Sequence, residues 1–147
     1  MRTTYFIGID PGATGAVAVI DHNSNPIECL KLKDATPLEV ADFLAKYRDA
    51  DARVVVEQVV ALPDKSSPWA MAKLMRSQGI LVGIVTAHRF RIREVRATVW
   101  QTKLNCKTGG KKAISRAAAQ QRWPNVRLTD ANADAHLLAE FGRLTWE

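Results

Sequence analysis

A short apolar run, Thr4 to Ile9, ends in Asp10-Pro11-Gly12 and a glycine-rich turn that extends through Gly15. No other feature constrains the fold as strongly. The β-branched and aromatic run reads as a buried strand. Proline and glycine then force the backbone out of it at once. A carboxylate is thereby fixed at a strand tip. Burying an unpaired carboxylate is expensive, and a bound cation is one of the few stable answers. The question is whether other acids converge on the same point.

The rest of the chain supplies the frame. Ala16 to Ile20 reads as a second strand, Asp21 to Pro26 as a turn, and Ile27 to Leu32 as a third strand, giving three antiparallel strands. Thr36-Pro37 with Glu39 begins a helix whose apolar face is Leu38, Val40, Ala41, Phe43, Leu44 and Tyr47. Arg53 to Val56 reads as a central strand parallel to the first, ending at Glu57. Residues 58–66 form a loop with Pro63, Asp64 and Lys65. Ser66 or Ser67 then caps a helix with Pro68 at its start and Met71, Leu74 and Met75 along it. Past Gly79, residues 80–87 either continue that helix or form a strand; a long buried helix is the preferred reading. Arg91 to Val95 is the last strand. A short helix around Val99, Trp100 and Leu104 follows, then a helix from Lys111 to Trp123, and a final helix from Asp130 to Leu144. The order predicts one α/β domain over residues 1–147, a mixed sheet with helices on both sides.

Composition sets outer limits. A chain of 147 residues is long enough to bury a core, and no apolar run reaches membrane-spanning length. Met1-Arg2-Thr3-Thr4 leads straight into a strand, so no secretory signal is expected. Cys29 and Cys106 lie far apart and form no ligand pair, which fits a reducing cytoplasm, bacterial or that of an infected host cell. Charge is uneven. Residues 1–88 carry nine Lys/Arg against ten Asp/Glu, and residues 89–147 carry twelve against five, so +6 overall divides as −1 and +7. The basic half suits an anionic partner.

Three places supply candidate acids. Asp10 and Glu57 end strands expected to be parallel neighbours, whose C-terminal ends would lie together. Asp130 and Asp134 are four apart and share a helix face. Singly, each has a plainer role: Asp10 a turn former, Glu57 a strand-end charge, Asp130 an N-cap, Asp134 a solvent-facing acid. Together they suit hard divalent cations, two of which, ~3.5–4 Å apart, can flank a scissile phosphate.

Gly8-Ile9-Asp10-Pro11-Gly12, Val56-Glu57-Gln58-Val59 and Ala133-Asp134-Ala135, in that order, resemble the motifs of RuvC-type Holliday junction resolvases. The short bacteriophage-encoded members are the nearest likeness, through Trp100 to Leu104 and the stretch Lys111-Lys112…Ala119-Gln120…Trp123-Pro124. The resemblance implies an RNase H-like fold and a homodimer. It implies Mg²⁺- or Mn²⁺-dependent cutting of four-way DNA junctions by paired nicks that leave 5′-phosphates, with two ions per site. Asp10, Glu57 and Asp134 would be metal ligands, and Asp130 the fourth. Three departures stand out. The last two acids are four apart rather than three. Val60 occupies the place of an aromatic wedge, with Trp69 as an alternative wedge or a core residue. Gln101 stands nearest to a catalytic-site lysine, whose charge Lys103, or Lys111 with Lys112, would supply.

Arg89, Arg91 and Arg93 would share one face of an extended segment. With Lys103, Lys107, Lys111, Lys112 and Arg116 they form the expected DNA surface, each lysine being equally suited to a plain basic loop. The helix from Ser67 onward, with Met71, Leu74, Met75 and Ile80, is either the dimer interface or ordinary core. Competing readings are a nuclease for flaps, other branched DNA or RNA–DNA hybrids, and a junction-binding protein without catalysis. A sugar-kinase-like phosphotransferase needs two such domains, and the chain has room for one.

Overall fold

The computed structural model describes residues 2–60 and 66–147, so Pro63, Asp64 and Lys65 of the expected loop lie outside the described residues. Five strands form one sheet: β1 (Thr4–Asp10), β2 (Ala16–Asp21), β3 (Pro26–Lys31), β4 (Asp51–Glu57) and β5 (Arg91–Val95). Their order is β3-β2-β1-β4-β5. β1 pairs antiparallel with β2 and parallel with β4, and β5 is parallel to β4. Three antiparallel strands followed by parallel ones is the mixed sheet that the sequence predicts.

Helices α1 (Pro37–Ala45) and α2 (Pro68–Ala87) cover one face, and α5 (Ala133–Thr145) covers the other, backed by α3 (Ala97–Lys103) and α4 (Lys112–Arg122). Strand alternation decides which side chain goes where. Ile7, Ile9, Val54 and Val56 face α1 and α2, and pack with Val40, Phe43, Leu44, Leu81 and Val85. Phe6 and Val55 face the other way, onto Leu137, Leu138 and Phe141 of α5. Asp10 and Glu57, at even steps from Phe6 and Val55, therefore belong to the α5 face.

Two expectations about helices change. The final helix begins at Ala133, three residues later than expected, because Asn132 staples the preceding turn. Its Oδ1 accepts from Thr129 N at 2.8 Å and its Nδ2 donates to the Arg127 carbonyl at 3.3 Å. Such side-chain bonds compete with helix formation. Residues 80–87 do continue α2, but that helix buries only Leu81 and Val85, so it is half-covered rather than buried. Trp69 is 72% exposed, not part of the core, and lies 5.4 Å beneath the Lys73 ammonium.

Candidate active site

The site forms where β1 and β4 end. Ile9 sits beside Val56 in the parallel register, so the next residues, Asp10 and Glu57, emerge together. Gly12 leaves the strand with φ of +109°, a conformation that glycine adopts without strain. α2 ties down both strand ends: Gly12 N donates to Ser77 Oγ at 3.2 Å and Val59 N to Gln78 Oε1 at 3.0 Å.

The third acid arrives on α5, and Gly8 makes that possible. A Cβ at Gly8 would lie 1.9 Å from the Ala135 carbonyl oxygen and 2.5 Å from Ala139 N. The helix backbone thus rests directly on β1, two residues before Asp10. Asp134 is buried in the first turn of α5.

Lys112 joins the acids. Its ammonium donates to Asp134 Oδ2 at 2.7 Å and stands 3.5 Å from Asp10 Oδ2. Glu57 is held by the buried Trp100, whose Nε1 donates to Oε2 at 2.8 Å. Burial pushes the Asp10 carboxyl up to about 7; Lys112 opposes this, and Glu57 and Asp134 add to it. Burial also raises Glu57; the Trp100 bond and Lys112 resist, while Asp134 reinforces. For Lys112, burial disfavours the charge, but Asp10, Asp134 and Glu57 outweigh it and hold the ammonium above its ordinary value. Three acids feeling each other's fields, with one cation among them, are a site short of positive charge.

The donor set suits a hard divalent cation. Asp134 Oδ1 is buried with no hydrogen-bond partner. Oxygen-only ligands fit Mg²⁺ or Mn²⁺. As they stand, no three His, Cys, Asp or Glu side chains among the described residues are gathered around one point. Lys112 is what lies between Asp10 and Asp134.

Asp130 is placed differently from the other acids. It lies in the turn before α5, exposed, and accepts from Arg116 Nη1 at 3.0 Å. Of the expected basic residues, Lys103, Lys107 and Lys111 are exposed, Lys103 at the end of α3 and the other two in the stretch between α3 and α4. Arg93 is engaged instead: it donates to Thr145 Oγ1 at 3.1 Å and stacks 4.5 Å over Trp146. Arg89 precedes β5, in a turn with φ of +63°, so it does not share the strand's alternation. Gln101 accepts from Thr108 N at 3.4 Å, bracing the loop before Lys111. Ser77, Gln78 and the Trp100–Glu57 bond were not foreseen. Gly8 carried a signal, since a glycine inside a strand often marks a close backbone approach.

No protein-family model matches the sequence, and no curated protein sequence matches it. Solved structures do. A RuvC structure from Thermus thermophilus is 14% identical, with 94% of each chain covered and a TM-score of 0.64. T. thermophilus RuvC in complex with Holliday junction substrate is 12% identical, with 97% of this chain and 96% of that one covered and a TM-score of 0.70. The chain has a RuvC-like, RNase H-like fold.

Proposed function

We propose that this protein is a divalent-metal-dependent endodeoxyribonuclease that resolves four-way DNA junctions. One observation carries the reading: Asp10 and Asp134, buried on different elements, are bridged by Lys112 at the C-terminal end of a RuvC-like sheet. Such a concentration of buried charge costs stability, and a phosphate-transfer site is a reason to keep it.

Asp10, Glu57 and Asp134 would hold the metal, with Asp130 a fourth ligand only once Arg116 lets go. When bound, divalent ions lower the pKa of a water and stabilise the leaving oxygen of a phosphodiester. The chain's own residues do the rest. Trp100 fixes the Glu57 carboxylate by its single N–H. Ser77 and Gln78 hold the two strand-end loops at a set spacing. Lys112 keeps a full positive charge at the acids, and on release from Asp134 it can meet the negative charge that develops on the phosphate. Lys103, Lys107 and Lys111 supply phosphate contacts beside the site. Trp69, exposed at the start of α2, is a flat surface on which an unpaired base can stack.

Two strands of a junction need two cuts, so the active form would be a dimer. The partly exposed α2 residues Met71, Leu74, Met75 and Ile80 suit its interface. The test is Asp10→Asn on a labelled four-way junction with Mg²⁺. Cutting should vanish while binding remains, because loss of a negative charge does not weaken a phosphate contact. Undiminished cutting rejects the assignment. A parallel panel of flap, plain duplex and RNA–DNA hybrid sets the substrate range; preference for any of these over the junction corrects the reading.

A further inference from the structure

The same sheet face has a second charged end. Arg2, Arg48, Arg53, Arg89 and Arg91 line a cleft of about 560 Å³ with Asp51 the one acid among them, a balance of five positive charges against one. The cleft lies at the N-terminal ends of β1, β4 and β5. Arg53 and Arg91 are direct register partners, four residues before Glu57 and Val95 on the same strands. At about 3.3 Å per residue, that is roughly 13 Å along the sheet from the catalytic acids.

These charges are not neutralised internally. Asp51 is already spent, accepting from Thr4 Oγ1 at 2.9 Å with Arg53 Nη2 at 3.6 Å. Among the described residues, the Arg2 side chain donates only to the Asp49 backbone carbonyl, at 2.6 Å. Among the described residues, the side chains of Arg48, Arg89 and Arg91 make no hydrogen bond or ion pair and the three residues are exposed, while Arg53 Nε is buried without a partner. Four uncompensated positive charges around one concave surface repel one another, and an anion with several oxygens relieves them. The exposed apolar area of the cleft is small, so an apolar ligand gains little there.

We infer that this cleft is a second phosphate-backbone site, which holds a stretch of DNA that the acids do not cut. The inference rests on the reading of the chain as a DNA-binding nuclease, but not on which DNA structure it cuts. A branched substrate must be held on more than one stretch of backbone to be oriented. Arginines that each present a planar fork suit successive phosphates.

The test is the salt dependence of binding by full-length protein carrying Arg48→Gln, Arg89→Asn and Arg91→Gln together. Asparagine suits the positive φ of residue 89. The slope of log affinity against log salt should fall by about three, roughly one per lost phosphate contact, on a four-way junction and on a plain 20-base-pair duplex alike. Affinity at low salt should fall about ten-fold or more. An unchanged slope in a folded variant overturns the proposal. So does loss of binding to phosphatidylglycerol vesicles with DNA binding intact. If the variant fails to fold, arginine side-chain NMR of the unaltered protein decides the matter. The Nε–Hε signals of residues 48, 89 and 91 should shift saturably with added duplex, and unmoved signals overturn the inference. A protein that cuts no junction yet shows the slope change refutes the junction reading and leaves this one standing.

Discussion

At the residue scale, the site is a problem of too much negative charge in too little water. Asp10 has an ordinary value of 3.8 and is pushed to about 7 by burial and by its fellow acids. The folded state therefore holds this proton more tightly than the unfolded chain does. The stabilisation is fully present below about pH 4 and is lost as pH rises through about 7. In chelator-treated protein, Asp10→Asn should gain on the parent by about 2–3 kcal/mol between pH 5 and pH 8. Urea unfolding at the two pH values measures this; a constant difference between the proteins contradicts it. Asp10 and Glu57 were legible in the sequence because a strand end is a local signal. That Lys112, rather than Lys103 or Lys111, supplies the cation was not, since only tertiary packing of α4 against α5 brings one lysine to both aspartates.

At the scale of elements, Gly8 and α5 decide whether there is a site at all. Gly8→Ala places a methyl group inside the α5 backbone and should cost more than about 3 kcal/mol, since neither the strand nor the helix can yield cheaply. Gly79 offers a contrast, because a Cβ there meets nothing within 4 Å. Gly79→Ala should stabilise α2 by about 0.5–1 kcal/mol. Chemical unfolding of both variants checks the pair, and equal effects would refute the close packing of α5 on β1. Where an element announces itself locally, the sequence was enough. Thr36 and Glu39 form the capping box that opens α1, Glu39 N donating to Thr36 Oγ1 at 3.2 Å and Thr36 N to Glu39 Oε2 at 2.6 Å. Where elements compete for the same residues, it was not. Asp130 reads as the start of a helix, but the Asn132 staple delays that start to Ala133 and leaves Asp130 to Arg116. Trp69 reads as a wedge or as core, because sequence alone does not tell an apolar face that is covered from one that is open.

Across the whole molecule, α5 links two opposite poles. Its N-terminus carries Asp134 to the acids, and its C-terminus ends at Thr145 and Trp146, against Arg93. The positive charge is therefore not confined to one surface or to the C-terminal half: Lys112 stands among the acids, while Arg2, Arg48 and Arg53 join Arg89 and Arg91 at the far end of the sheet. If α2 is the subunit contact, Met75→Glu should turn a dimer into a monomer in sedimentation experiments; a parent protein that is itself monomeric contradicts that assignment. All of this depends on one claim, that the buried carboxylates exist to hold a divalent cation. Crystals soaked in Mn²⁺ and measured for anomalous scattering test it most directly. A manganese peak coordinated by Asp10 and Asp134 is expected, with the Lys112 ammonium withdrawn from between them. A saturating soak with no peak at these carboxylates, and Lys112 still bridging them, would contradict it.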